Sequence, residues 1–362
     1  MLNLSMYFIF NFEKEVINLF KKKDSEGNFI PKKKMNIVLK IFLIIFISIV
    51  IITITMFLTV FIYLNNKLGK IQYDGLKKAD VFIDDRVDSE LSGKYRTIAL
   101  LGIDARSDTF SRGNRSDCIM LISLNEKTGD VKIASVYRDT YLDIDNHGLD
   151  KATHAYSFGE AQLALSTLNK NLDLNIYEYV AINFDTVRTI VNEIGGVQMY
   201  ITNEEAKHIS GISSAGTYNL NGDQALAYGR IRKATGGDYK RTARMRDVLI
   251  AVFDKAKKMD VASLNHLLDA MLPHVRTNIQ KNEIISFIPK IASYNIKENF
   301  GWPYNTSGQM INGIWYGMPH DLESDVSKLH KQLFNQDNYQ VSENVHEISE
   351  KIKVIDKVDG DY

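Results

Sequence analysis

The chain has 362 residues, of which 45% are hydrophobic, 24% charged and 10% aromatic. This balance excludes a disordered or low-complexity chain, and equal totals of 44 basic and 44 acidic residues give no basic excess of the kind expected of a dedicated nucleic-acid binder. The single cysteine, Cys118, excludes an intramolecular disulfide framework and a zinc site built from cysteines.

The first feature along the chain is an apolar run at residues 41–63, which contains no charged side chain. As a helix it would span roughly 35 Å, enough to cross a hydrocarbon core of roughly 30 Å. Residues 1–40 carry eight lysines against four acidic residues, a net charge of 8 − 4 = +4, and the residues after the run carry 36 − 40 = −4. The positive-inside rule therefore predicts a cytoplasmic segment (1–40), a transmembrane anchor (41–63) and an extracellular remainder. A buried core helix is the alternative, but the run has no polar face for a globular surface.

The remainder is predicted to hold one α/β domain. Residues 64–94 are polar with alternating charge and are predicted to form an extracellular stalk, followed by a catalytic domain at 95–335 and a frayed C-terminal tail at 336–362. Short apolar runs predict strands at 97–103, 118–125, 131–137 and 179–183. Helical spacing predicts helices at 158–171, 186–194, 239–258, 261–271, 282–294 and 324–334. Strands mixed with helices predict a three-layer α/β domain.

Arginine is concentrated in two short segments. Nine of the thirteen arginines lie in residues 106–138 and 230–246, and the lysines do not follow this distribution. A planar guanidinium binds carboxylate or phosphate through two parallel hydrogen bonds, so local enrichment in arginine alone indicates an oxyanion ligand. The alternative for Arg241, Arg244 and Arg246 is a solvated helix start that is paired internally with acidic residues.

The spacing of these arginines strengthens the prediction of an anion site. An extended conformation at 228–232 would place Arg230 and Arg232 on one face and Ile231 on the other. Arg241 falls in the first turns of the following predicted helix, near the positive end of its dipole. Together these residues predict one wall of an anion pocket.

Two acidic residues follow or begin neighbouring predicted strands. Asp104 ends the first strand and Asp117 begins the second, so their carboxylates are expected to lie close together. Mg²⁺ binds through one or two carboxylates, waters and substrate phosphates. The alternative is that these residues form ordinary salt bridges, or that Asp104 caps a turn.

The ordered set of motifs resembles the LytR-CpsA-Psr family of membrane-anchored glycopolymer transferases of Gram-positive bacteria. The resemblance runs from about Thr97 to Lys258 and follows the predicted anchor. The matching segments are LLGIDAR (100–106), RSD (115–117), SVYRDTY (135–141), Lys151 with Ala155 and Tyr156, IGGV (194–197), LNGDQALAYGRIR (220–232) and GDYKRTAR (237–244).

The resemblance implies a central mixed β-sheet flanked by helices, an apolar tunnel for a polyprenyl chain and a pyrophosphate site at its mouth. It implies a phosphotransferase that moves a wall teichoic acid or capsular polysaccharide from undecaprenyl pyrophosphate to a muramic acid hydroxyl of peptidoglycan. The implied partners are this lipid-linked polymer, peptidoglycan and the membrane, without nucleic acid.

The resemblance also assigns roles to residues. Asp104 and Asp117 would hold Mg²⁺, with Mn²⁺ as the alternative ion, and with Arg138, Arg230 and Arg232 they would form the catalytic set. The pyrophosphate would be bound by basic residues, which are Arg106, Arg115, Arg138, Lys151, Arg230, Arg232, Arg241 and Arg244. The general base would be Asp104 or Asp139, which the sequence does not rank.

Two positions depart from the family pattern. Tyr137 stands where the family commonly has proline, and Met245 where it commonly has glutamine. The second change removes an amide donor near the phosphates, for which Arg246 is a possible replacement. It is also the one feature that favours the alternative of a regulatory (attenuator) protein that binds polyprenyl pyrophosphate or the cell wall without turnover.

Overall fold

The computed structural model describes residues 37–105, 109–232 and 237–359, and the chain divides into two units, 1–63 and 64–362. A helix, α1 (Ile37–Leu68), contains the predicted anchor. Its segment Ile41–Leu68 is long and apolar enough to cross a membrane. Hydroxyl groups within it, such as those of Ser48 and Thr53, donate to backbone carbonyls one turn earlier, so they present no unpaired donor to lipid.

The second unit is built on a mixed seven-stranded sheet in the described residues. Its strands are β1 (Gln72–Tyr73), β2 (Tyr95–Ile103), β3 (Ser116–Asn125), β4 (Asp130–Val136), β7 (Glu178–Asn183), β10 (Val275–Thr277) and β11 (Asn295–Trp302). Their order is β1-β10-β7-β2-β3-β4-β11. The pairs β1–β10, β7–β2 and β4–β11 are parallel, and the others are antiparallel. The four predicted strands are confirmed as the centre of this sheet, with ends shifted by at most two residues.

In the part of the chain that the structure describes, three hairpins lie outside the sheet. They are β5 (Tyr141–Ile144) with β6 (Gly148–Lys151), β8 (Val197–Ile201) with β9 (Gly216–Leu220), and β12 (Thr306–Ile311) with β13 (Ile314–Pro319). The last of these contacts the site described below.

Helices cover both faces of the sheet. They are α2 (Asp85–Leu91), α3 (Ala152–Leu172), α4 (Phe184–Glu193), α5 (Asn203–Ala206), α6 (Gly222–Arg230), α7 (Gly237–Ala256), α8 (Val261–Met271), α9 (Lys281–Phe287), α10 (Leu322–Phe334) and α11 (Glu343–Asp359). Alternate residues of β2 face opposite layers: Leu101 packs in the core with α3, α10 and α11, whereas Leu100 packs on the side of α4, α6, α7 and α8. The predicted three-layer domain with a central mixed sheet is confirmed.

The structure differs from the predicted stalk and tail. Residues 64–94 supply β1 to the sheet and α2 to the core, where Val87 and Leu91 are buried. The predicted frayed tail contains α11, whose Val345 and Ile348 are buried in the core. Both segments mix charged residues with widely spaced apolar ones, and it is the packing of those apolar residues that makes them part of the domain.

Candidate anion site

Asp117 projects from a β-bulge at the edge where β2 ends and β3 begins. Gly102 pairs with Cys118 and Ile103 pairs with Ser116, so Asp117 is the additional residue on β3. A bulge redirects a side chain relative to the regular alternation of a strand. The bulge therefore accounts for a polar residue beside the buried Ser116 and Cys118.

Both carboxylate oxygens of Asp117 accept hydrogen bonds from arginines. Arg138 Nη1 donates to Oδ1 over 2.8 Å, and Arg241 Nη2 donates to Oδ2 over 3.1 Å. Arg138 follows the end of β4, and Arg241 lies in the early turns of α7. Only 7% of Arg241 is exposed, so this charge pair lies where water screens it weakly.

Asp139 extends the cluster to Lys151. Its carboxylate accepts from Arg138 Nε over 3.2 Å and from Lys151 Nζ over 2.8 Å, and the residue is buried. The connected groups are Lys151, Asp139, Arg138, Asp117 and Arg241, which are three cations and two carboxylates. This excess of positive charge suits an anionic ligand.

Asp104 stands at the same sheet edge and is exposed. Its backbone N–H donates to the Arg115 carbonyl over 2.9 Å, which fixes the chain just after β2, while the Arg115 side chain is exposed. Arg106, also predicted in the site, lies outside the described residues.

In the described part of the chain, no group of three or more His, Cys, Asp or Glu could hold a metal ion. A cation at Asp104 and Asp117 would thus need water and phosphate oxygens to complete its ligands, which is the chemistry Mg²⁺ prefers.

Arg230 and Arg232 are exposed on either side of the buried Ile231. The predicted extended conformation at 228–232 is wrong for its first part, because α6 continues to Arg230. The sequence feature that indicates a helix here is the capping box of Asn221 and Gln224, with which this helix begins. Ile231 leaves the helix in an extended conformation, and the Arg230 guanidinium lies 4.4 Å from the Phe184 ring centre.

The structure does not bring Arg244 or Arg246 to the cluster. Arg244 is buried, donates to Glu205 Oε1 over 2.7 Å and to the Ile231 carbonyl over 3.2 Å, and so fixes the segment that carries Arg230 and Arg232. Arg246 Nη1 donates to Ser135 Oγ over 3.0 Å. Burial lowers the pKa of Arg246, and these contacts make it a core residue, so the idea that it replaces the family glutamine is wrong.

An apolar cleft adjoins the charged cluster. It lies between the sheet, α4 and α7 and is lined by Leu100, Gly102, Cys118, Ile182, Asn183, Phe184, Val187, Met245 and Leu249. Cys118, Phe184 and Met245 also line a neighbouring cavity that contains Asp117 and Arg241. Burial raises the pKa of Cys118 to about 12, so its thiol is a neutral part of the apolar wall. The sequence could not identify this lining, because its residues have the same pattern as core residues.

A third cavity lies beside Arg138 and Arg241 and has aromatic walls. It is lined by Tyr137, Arg138, Asp139, Thr140, Tyr239, Arg241, Thr242, Thr306, Trp315 and Gly317. The sequence indicated Arg138, Asp139 and Arg241, but Trp315 and Thr306 come from the β12–β13 hairpin, which lies beyond the matching motifs.

The fold and this site define an α/β protein in which an apolar cleft adjoins an anion site built from arginines and carboxylates. The family model LytR_cpsA_psr matches residues 58–333, and the chain belongs to the LytR-CpsA-Psr family. The family resemblance that the sequence motifs carry is thereby confirmed.

Two curated relatives are transferases by name. Polyisoprenyl-teichoic acid–peptidoglycan teichoic acid transferase TagT of Bacillus subtilis (strain 168) is 33% identical over 226 residues, which cover 59% of this chain and 70% of TagT. The corresponding transferase TagU of Bacillus cereus (strain AH820) is 38% identical over 244 residues, covering 66% of this chain and 78% of TagU. The prediction of an enzyme of this transferase family is confirmed.

Two solved structures share the fold. TagT bound to LIIa-WTA has a TM-score of 0.57 and 29% identity, covering 67% of this chain and 91% of that chain. The family protein YwtF (TagT) with bound octaprenyl pyrophosphate lipid has a TM-score of 0.54 and 25% identity, covering 72% of this chain and 96% of that chain. The similarity therefore extends to proteins that hold a prenyl pyrophosphate.

Proposed function

We propose that this chain is an extracytoplasmic phosphotransferase that moves an anionic glycopolymer from undecaprenyl pyrophosphate to a muramic acid hydroxyl of peptidoglycan. The observation that carries the proposal is the direct junction of an apolar cleft with the Asp117–Arg138–Arg241 cluster, which share Cys118, Phe184 and Met245 at their boundary. Apolar walls that meet a charged cluster suit, by their chemistry, an amphiphile with an apolar chain and a charged head. The names of the relatives favour wall teichoic acid as the polymer, with capsular polysaccharide as the alternative.

In this proposal the prenyl chain occupies the cleft and the pyrophosphate lies against the arginines. Phosphoryl transfer requires stabilisation of charge that spreads over the phosphate oxygens and in-line placement of the acceptor. Arg138 and Arg241 are held in place by Asp117, so their donors are oriented before the substrate binds. The exposed Arg115, Arg230 and Arg232 supply further positive charge near the cluster.

Asp104 and Asp117 would hold Mg²⁺, or Mn²⁺ in its place. When bound, the ion neutralises negative charge on the phosphate oxygens. The two carboxylates fit such an ion, because a carboxylate offers about four lone-pair sites and Asp117 uses two of them for arginines.

Of the two candidate general bases, the geometry favours Asp104. Both oxygens of Asp139 accept from cations, Arg138 and Lys151, and the residue is buried. We assign Asp139 to positioning Arg138 and Lys151. Asp104 is exposed at the sheet edge and would act as the base through the carboxylate oxygen that does not bind the ion.

The proposal includes the orientation in the membrane. The lysine-rich residues 1–40 precede the span, so the positive-inside rule puts them in the cytoplasm and the family domain outside. Undecaprenyl-linked polymers and peptidoglycan would then meet the site on the outer surface.

The test is a ligation assay with the full-length chain in detergent micelles. A lipid-linked teichoic acid precursor, a peptidoglycan oligosaccharide and Mg²⁺ are added, and the ligated product is detected by mass spectrometry. We expect a product that disappears with EDTA and in the variants Asp104→Ala and Arg230→Ala.

Arg188→Ala is the matched control, because Arg188 is a half-buried arginine whose partners, Asp185 and Asp223, are exposed on the surface. This variant should transfer at the wild-type rate. Wild-type transfer by Asp104→Ala or Arg230→Ala would show that the site is assigned wrongly. Prenyl pyrophosphate binding without any product from either polymer class would instead support the regulatory alternative.

A further inference from the structure

On one face of the β12–β13 hairpin, the side chain of Trp315 lies over two glycines, Gly308 and Gly317. Gly308 pairs with Gly317 and Met310 pairs with Trp315, so these four residues share one face, while Tyr316 points to the opposite face and is buried. A Cβ on Gly308 would lie 2.5 Å from Trp315 Nε1, and one on Gly317 would lie 3.8 Å from the edge of the indole ring. The indole therefore packs directly on the hairpin backbone, which the two glycines leave uncovered.

The Trp315 side chain is held in this position while part of it stays accessible. Contact with the backbone of Gly308 restricts the ring, yet Trp315 remains 37% exposed. A large ring that is fixed and still accessible is typical of ligand contacts, because little conformational entropy is lost on binding.

The hairpin is attached to the loop that carries Arg138 and Asp139. Gly317 N–H donates to the Asp139 carbonyl over 2.9 Å. The hydroxyls of Thr306 and Tyr239 are hydrogen-bonded, and Tyr239 packs edge-on against Tyr137 at 4.6 Å between ring centres. These contacts fix the distance between the indole and the arginine cluster.

Helix α7 places the three cavities in a fixed order. Leu249 lines the apolar cleft, and Met245 lines both this cleft and the charged cavity. Arg241 and Thr242 line both the charged and the aromatic cavity, and Tyr239 lines the aromatic cavity. Leu249 and Tyr239 are ten residues apart, so the sequence of cavities extends over about 15 Å of helix. The aromatic cavity is thus at the end remote from the apolar cleft.

We propose that Trp315 and the aromatic cavity form the subsite for a pyranose ring of the acceptor glycan, an inference that rests on the proposed function. The apolar C–H face of a pyranose matches the exposed indole, and its hydroxyls match the polar residues of the wall. Thr140 supports this, because it lines the cavity and its buried hydroxyl has no hydrogen-bond partner among the described residues.

In-line geometry assigns this subsite to the acceptor. The attacking hydroxyl oxygen forms a bond to phosphorus as the bond to the departing lipid phosphate breaks, and the hydroxyl proton passes to the base. The attacking and departing oxygens lie on opposite sides of phosphorus. With the lipid in the apolar cleft, the acceptor therefore approaches from the end where Trp315 stands.

The kinetic test compares Trp315→Ala and Trp315→Phe with the wild-type full-length chain in detergent micelles. We expect Trp315→Ala to raise KM for a peptidoglycan tetrasaccharide at least tenfold, with KM for the lipid-linked donor changed less than twofold. Trp315→Phe should recover most of the loss, since it retains an aromatic face. Tyr200→Ala is the matched control, because Tyr200 is an exposed aromatic residue outside the cavity.

Either of two kinetic results would overturn the assignment. An unchanged KM for the tetrasaccharide would exclude a role for Trp315 in acceptor binding. A rise in KM for the donor alone would put the donor glycan, not the acceptor, on the indole.

A titration that needs no turnover separates this inference from the proposed reaction. The chain has two tryptophans, and Trp302 is fully buried, so a change in tryptophan emission on adding the tetrasaccharide reports Trp315. We expect a saturable change that is absent in Trp315→Phe, whose remaining Trp302 emission also verifies folding. Retained prenyl pyrophosphate binding and transfer without this change would refute the subsite and leave the proposed function intact. A saturable change in tryptophan emission in a chain that transfers no polymer would support the subsite and refute the proposed function.

Discussion

The two faces of the central sheet are filled differently. On one face α3, α10 and α11 cover the sheet with side chains that are almost completely buried, including Leu165 and Leu329. On the other face Leu100 and Cys118 border cavities beneath α4 and α7. The first face is a closely packed apolar core, whereas the second face is bordered by cavities that leave space for a ligand.

The difference depends on small residues at the open face. A Cβ on Gly102 would lie 2.7 Å from Cys118 Cβ, so the strand pair at the cleft tolerates no larger residue there without movement. The charged cluster lies at the same end of these strands, where Asp117 leaves the regular ladder. One sheet edge thus supplies both the apolar and the charged parts of the site.

Among substitutions that compare the two faces of the sheet, the largest effect is expected from removing a cation on the open face. Arg241→Ala should lower the transfer rate by about 10²- to 10³-fold, the loss typical of one donor that stabilises transition-state charge. The free energy of unfolding should fall by only about 1 to 3 kcal/mol, because Asp117 keeps its bond to Arg138. Transfer assays and thermal unfolding of the same preparation measure both quantities.

A matched substitution on the same helix sharpens the contrast. Arg246→Ala removes bonds to Ser135, Asn299 and the Phe300 carbonyl, all away from the cluster. It should destabilise the protein more than Arg241→Ala and leave transfer per folded molecule nearly unchanged. Equal losses of transfer in the two variants would contradict the division between site and core.

A smaller effect, on stability alone, is expected from Asp325 on the closed face. Burial raises its pKa from 3.8 to about 6, despite hydrogen bonds from the Tyr304 and Asn305 backbone that lower it. Between these two values the folded chain holds a proton that the unfolded chain has lost, so stability falls as pH rises from about 4 to 6. A shift of this size corresponds to about 3 kcal/mol at neutral pH.

Asp325→Asn removes this titration. Relative to the wild-type chain, the variant should gain stability from pH 4 to pH 7 by an amount of the order of 2 to 3 kcal/mol, measured by denaturant unfolding across that range. Transfer by folded protein should stay the same. A constant difference between the two proteins across the pH range would show that Asp325 titrates normally.

The features that the sequence predicted correctly are those determined by residues close together in the chain. Apolar runs located the four central strands, and the motif residues Asp117, Arg138 and Arg241 do lie together. Arg244 does not, because the acceptor that holds it, Glu205, is 39 residues away in the chain. No local pattern distinguishes an arginine that binds a ligand from one that pairs with a distant carboxylate.

The cavities could not be predicted for the same reason. Phe184, Val187 and Leu249 line the cleft, yet each also fits the apolar pattern of its helix. Trp315 is 177 residues after Arg138 in the chain (315 − 138) and reaches the site through the β12–β13 hairpin, in which Gly308 and Gly317 leave room for the indole. A cavity is a property of how elements pack, and a sequence pattern records only which side of an element is apolar.

The smallest predicted effect tests the residue at the boundary between the charged and apolar cavities. Met245 is buried, and its Cε would lie 2.6 Å from a Cβ on Gly229, so the thioether fills the space that this glycine leaves. Met245→Gln places an amide in the wall of the cleft, at a cost of about 0.5 to 2 kcal/mol. We expect affinity for undecaprenyl pyrophosphate to fall about two- to thirtyfold, measured by titration of the full-length chain, because each tenfold change in affinity corresponds to about 1.4 kcal/mol.

Inorganic pyrophosphate separates the two parts of the site in this variant. The family resemblance implies an amide donor near the phosphates at this position, so Met245→Gln should bind inorganic pyrophosphate at least as tightly as the wild-type chain while it binds the prenyl form less well. The exposed Met310 provides the control substitution Met310→Gln, which should alter neither affinity. If Met245→Gln instead bound both ligands less tightly by the same factor, Met245 would serve the charged cavity, and the apolar cleft would end before this residue.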